Sequence, residues 1–173
     1  MEFLSTSTDS ILSGAIEVGI GIVGFTGVIV ALASSRGHRE SRRIAFQTLL
    51  FTAIATVMFS FLPYLVLQFD LSSRLLWMIC SGVYILYLPI ILLIRIKQIS
   101  KVAVEDHTDN LMSRRVLSGF GMGMLGIGVL QVLNLFVFQT YWPYLTMVIF
   151  YVFFSLSTFA VITLILWNTS GDA

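Results

Sequence analysis

Charge is scarce in this chain of 173 residues: ten Lys or Arg and nine Asp or Glu make up only 11% of it. A soluble globular domain carries about 25% charged residues. The chain therefore cannot cover a water-facing surface, and low charge with high hydrophobicity equally excludes disorder. There is one cysteine, Cys80, inside an apolar run. It excludes an intrachain disulfide and reads as a small apolar residue. A net charge of +1 leaves no basic footprint for nucleic acid. Only two histidines are present, His38 and His107, both in polar connections. The sequence contains no P-loop, G-x-S-x-G, H-E-x-x-H or C-x-x-C motif. No Ser/His/Asp or Cys/His set can be assembled, so neither an enzyme nor a cofactor is expected.

What the chain has in abundance is apolar length. Hydrophobic residues make up 57% and mean hydropathy is +0.94. About 20 apolar residues in a helix cross the ~30 Å hydrocarbon core of a bilayer. Five such stretches are found, at residues 11–33, 44–69, 74–96, 116–138 and 143–167. Backbone groups must be paired inside lipid, so each is expected to be an α-helix. The ten-residue alternating segments of a β-barrel are absent from the sequence. The expected fold is all-α, a polytopic bundle of five transmembrane helices forming a single domain over residues 1–173. The connection 97–115 is the longest, and its first part, with Ile99, Val102 and Val104, can extend the third helix. The first span lacks a basic region before it and reads as a retained helix rather than a cleaved signal peptide.

Basic residues orient the bundle. Arg36, Arg39, Arg42 and Arg43 form one cluster, and Arg95, Lys97, Lys101, Arg114 and Arg115 a second. Both fall on one side if all five spans cross, and that side is expected to be cytoplasmic. Arg74 alone lies opposite, with Glu2, Asp9 and Asp70. The N-terminus is then outside and the C-terminus inside.

Within the spans, Glu17 is the one acid far from an end. A charge there is costly, so such a residue is expected to face a partner or a wet cavity. It is the candidate ion or proton site. The bland reading is a protonated acid hydrogen-bonded to another helix, or a side chain reaching the outer interface. Small residues let helices approach closely in lipid. Gly14, Gly21 and Gly24 share a face of the first helix with Glu17, and Gly119, Gly123 and Gly126 share a face of the fourth; all six are expected to pack on neighbours. Gln131 and Asn134 are expected to hydrogen-bond a neighbouring helix. Pro63 and Pro89 lie within the second and third spans and are expected to kink those helices, and Pro143 is placed at the first position of the fifth. Trp77, Tyr141, Trp142 and Trp167 are expected at the membrane interfaces. Glu105, Asp106, His107 and Asp109 form an acidic cluster whose spacing matches no metal motif, and a solvated loop is expected. No metal site is assigned.

The run from Gly24 to Leu32, followed by an arginine-rich turn, resembles small uncharacterised multispan bacterial inner-membrane proteins. The resemblance covers the first two helices, implies a bacterial inner membrane and carries no activity with it. The sequence thus points to a multi-pass membrane protein without enzymatic chemistry. Its expected partners are the lipid bilayer and either further copies of itself or another membrane protein. The alternative is a small ion or proton channel or transporter using Glu17.

Overall fold

The computed structural model of the chain describes residues 6–33, 40–105 and 110–170, with side chains for 6–28, 46–94, 119 and 121–163. It is all-helical, with no strand among the described residues. The helices are α1 (Thr6–Ala33), α2 (Glu40–Leu67), α3 (Ser73–Glu105), α4 (Asn110–Leu133) and α5 (Tyr141–Ser170), with a π-turn at Asn134–Phe138. All five are long and apolar enough to cross a membrane. The expected five spans are therefore present, with longer helices than hydropathy alone marks out. α1 starts five residues earlier than residue 11, and α3 continues through Lys101 to Glu105, as its apolar positions anticipated. The Arg36 and Arg39 side chains and the 106–109 part of the acidic cluster lie outside the described residues, as do the side chains of the other clustered basic residues and Trp167.

Helix ends follow local chemistry. α2 closes with three short-range bonds, including Asp70 N–H to Leu67 O at 3.2 Å, and Asp70 takes a left-handed conformation with φ 50°. Aspartate is one of the few non-glycine residues that tolerate it. Ser72 then caps α3: its carbonyl accepts Leu76 N–H at 3.0 Å and its hydroxyl accepts Leu75 N–H at 3.4 Å. Pro143 is the third residue of α5 rather than the first. It still lies in the opening turn, where backbone N–H groups have no helical acceptor to lose. α2 and α3 continue through Pro63 and Pro89.

Contacts group the chain into two units: Met1–Asp9 with Phe61–Met147, and Ser10–Ser60 with Val148–Ala173. In the first, α3 packs on α4 and the π-turn. Its core holds Leu76, Trp77, Cys80, Tyr84, Met124, Tyr144 and Met147. Trp77 is buried, with its ring 5.7 Å from that of Tyr144. Tyr141 and Trp142, at the start of α5, are exposed.

In the second unit, α1 buries Leu12, Ala15, Gly19, Ile22 and Thr26, and α5 buries Val148, Tyr151, Ser155, Thr158 and Ile162. Both stripes step alternately by three and four residues, the period of a packed helix seam. Ile22, Leu49, Ala53 and Ile162 form one apolar cluster, with Val18, Val23, Phe46 and Phe159 against it.

Polarity is inverted relative to a water-soluble fold. Phe25, Met58, Leu86, Met122, Phe136 and Phe153 are all more than 60% exposed, whereas Thr52, Thr56, Ser60, Ser81, Gln131, Asn134 and Ser155 are buried. Lipid solvates the outer phenylalanines as well as a core would, so close packing and interior hydrogen bonds hold such helices together. This is the surface of a multi-pass integral membrane protein.

Candidate functional site

Glu17 lies eleven residues into α1, about 16 Å along it at 1.5 Å per residue. Its side chain is exposed and has no hydrogen bond or ion pair with any described residue. The face it occupies is opposite the buried one. Gly14 is half-buried there, and Gly21 and Gly24 are exposed. A Cβ built on Gly14, Gly21 or Gly24 meets nothing within 4 Å, and the same is true of Gly119 and Gly126 on α4. The packing expected of these five glycines is therefore not seen among the described residues. Gly123 is half-buried.

Two other glycines do let helices approach. A Cβ on Gly19 would lie 2.6 Å from Val57 Cγ2 and 3.3 Å from the Ala53 carbonyl oxygen, and one on Gly128 would lie 2.5 Å from Leu88 Cδ2. Glycine content alone could not separate these two from the rest. The signal available was positional: Gly19 falls in the three-four stripe with Leu12, Ala15, Ile22 and Thr26.

Gly21 instead floors an apolar groove of about 230 Å³ lined by Val18, Ile22, Phe25, Leu156 and Phe159. The α1 face thus combines an open, shallow, apolar surface with one unpartnered carboxyl. Chemically it offers a hydrogen-bonding or proton-holding group with no fixed counter-charge.

The amides of α4 and the π-turn form the second polar feature, inside the first unit. Gln131 and Asn134 are fully buried. Ser81 on α3 donates to Gln131 Oε1 at 2.8 Å and accepts from Asn134 Nδ2 at 2.8 Å. Gln131 Nε2 donates to the Pro143 carbonyl at 2.7 Å, and Thr140 N–H donates to Asn134 Oδ1 at 3.0 Å. The helix-to-helix bonding expected of both amides is made, through a serine that the sequence did not single out.

The π-turn follows from the same residues. Gln139 N–H reaches back five residues to Asn134 O at 2.9 Å, and Gln139 adopts φ 50°. Arg74 Nε donates to Gln139 Oε1, tying the start of α3 to this corner. π-turns often mark functional positions. Here the side-chain amides of Gln131, Asn134 and Gln139 are each hydrogen-bonded within the fold, so the network braces the junction of α3, α4 and α5. At Asp9, the carboxylate accepts the Tyr64 hydroxyl at 2.7 Å. No cluster of three metal-ligating side chains occurs among the described residues.

No family model matches the chain, and no curated protein or solved structure matches it either.

Proposed function

We propose that the protein is a non-enzymatic, helix-packing component of a bacterial inner membrane that associates with itself through the outward face of α1. The observation that carries this reading is Glu17, exposed within a span and unpartnered, on a face whose glycines have open space beside them. A carboxyl facing hydrocarbon alone is costly. A second helix laid on this face relieves that cost and meets no side chain at Gly14, Gly21 or Gly24. A second copy suits it because a two-fold axis near Glu17 makes the contact self-complementary. A protonated carboxyl is at once donor and acceptor, so each acid can satisfy its symmetry mate.

The expected outcome is an oligomer in mild detergent and in bilayers, with cysteines placed at Gly21 or Gly24 cross-linking between copies in a Cys80→Ser background. Glu17→Gln, which keeps a donor and an acceptor, should leave the oligomer intact. Glu17→Leu should dissociate it while the monomer stays helical. A monomeric wild-type chain under all these conditions, or an oligomer indifferent to Glu17→Leu, sinks the reading.

The alternative is a small ion or proton pathway, favoured by the same ionisable group lacking a fixed counter-charge. Glu17→Gln separates the two: it preserves association in the first case and abolishes liposome proton or cation flux in the second, because an amide cannot cycle a proton.

Orientation is part of the proposal, supported by the nine-to-one distribution of basic residues read from the sequence. A cysteine at Ser72 should react with a membrane-impermeant reagent outside intact cells, and one at Ser35 or Thr108 should not. Labelling at Thr108 without labelling at Ser72 would reverse the topology.

A further inference from the structure

The second unit carries a polar seam between α2 and α5 that association through α1 does not use. Two contacts set the register of these helices. The Phe59 ring lies 5.9 Å from that of Tyr151, and Leu49 and Ala53 share an apolar cluster with Ile162. Both fit one antiparallel alignment, in which Ser60 lies level with Tyr151, Thr56 with Ser155 and Thr52 with Thr158. Each pair is separated from the next by about one helical turn, roughly 6 Å. All six residues are buried. Three hydroxyl-bearing rungs thus stack in the interior of a unit whose exterior is apolar.

The hydroxyls are not equivalent. Thr56 donates to the Thr52 carbonyl at 2.9 Å, and Thr52 to the carbonyls of Thr48 and Leu49, each at 3.0 Å. These threonines donate to their own helix, and each hydroxyl oxygen keeps acceptor capacity. Ser60 Oγ, Ser155 Oγ and Thr158 Oγ1 are buried and have no hydrogen-bond partner among the described residues. In this alignment each orphan hydroxyl lies level with a second hydroxyl-bearing residue on the other helix. Buried polar groups are almost always satisfied, by protein or by ordered water. No residue of the three rungs carries a permanent charge, so an ion entering here would lose its hydration without compensation.

We infer that this seam binds a short file of water molecules, held at the three rungs by Ser60, Ser155 and Thr158 with the facing hydroxyls of α2 and α5. A site with two or three polar partners per water is what buried water requires. The file gives the unit a neutral hydrogen-bonded track within the membrane interior.

Water-edited solid-state NMR tests this on the full chain in lipid bilayers, with carbon-13-labelled serine and threonine. Ser157, exposed on the outer side of the same helix, is the internal reference. Magnetisation from water should reach Ser60, Ser155 and Thr158 at least about threefold faster than Ser157, because bound water lies within hydrogen-bond distance of the first three. Transfer to all three as slow as to Ser157 means a dry seam and overturns the inference. Thr158→Val keeps the shape and removes one anchor. It should slow transfer to Ser155 about twofold or more, since each bound water depends on two to four polar partners. Unchanged transfer to Ser155 in a folded variant would place the water elsewhere and equally overturn it.

Discussion

Gly19→Leu is expected to lower stability in detergent by about 3 kcal/mol, the upper part of the range for overpacked interiors. The first added carbon already falls 2.6 Å from Val57 Cγ2 and 3.3 Å from a backbone oxygen, and the backbone cannot rotate away. α1 and α2 must separate to admit the rest of the side chain. Gly19→Ala should cost about 1 kcal/mol, because a turn of Val57 relieves most of the clash. Val57→Ala should reduce that cost further, since it removes the methyl that the new Cβ meets. Gly126→Leu is the contrast: its Cβ meets nothing within 4 Å, and it should melt like wild type. Thermal unfolding followed by circular dichroism reads all four. Equal melting of Gly19→Leu and Gly126→Leu would mean that α1 and α2 do not approach at Gly19.

Asn134→Leu should cost about 2–3 kcal/mol, from stranding buried polar groups whose partner is gone. The variant leaves Thr140 N–H without its acceptor and removes the donor that Ser81 Oγ accepts. Hydrogen bonds between membrane helices are often worth less than this, ~0.6–2 kcal/mol, because alternative partners exist in the unfolded membrane state. Asn134 exceeds that range because its losses include a backbone N–H at a tight corner. Gln131→Leu should follow closely, stranding the Pro143 carbonyl. Ser81→Ala should be mildest, since each amide keeps its other bond. Amide exchange gives a local readout: Thr140 should exchange at least about tenfold faster in Asn134→Leu than in wild type. Unchanged protection at Thr140 would show that Asn134 is not its acceptor in the bilayer.

The polar chemistry of the fourth helix was half legible. An amide inside an apolar span has few alternatives to bonding a neighbour, so Gln131 and Asn134 announced themselves by type. Ser81 did not, because a serine in a membrane helix can always bond its own backbone. Only its position opposite both amides made it the hub. The hydroxyls of α2 recur every four residues from Thr48 to Ser60. That spacing places them along one side of a helix, but nothing in the sequence sets them against Tyr151, Ser155 and Thr158.

By itself the sequence determined that this chain is helical and membrane-embedded, because a chain so poor in charge and so long in apolar runs can satisfy its backbone in lipid only as helices. It also determined that Glu17 is the exceptional residue, since a single acid among apolar neighbours needs no structure to be noticed. The tertiary structure decided which way each face turns. In lipid the apolar residues of a helix are equally content inside or outside, so hydropathy carries no sign for facing, and glycine marks both packed and open surfaces. The close approach at Gly19 and Gly128, the burial of Trp77, and the outward turn of Gly14, Gly21, Gly24 and Glu17 all depend on which helix lies alongside.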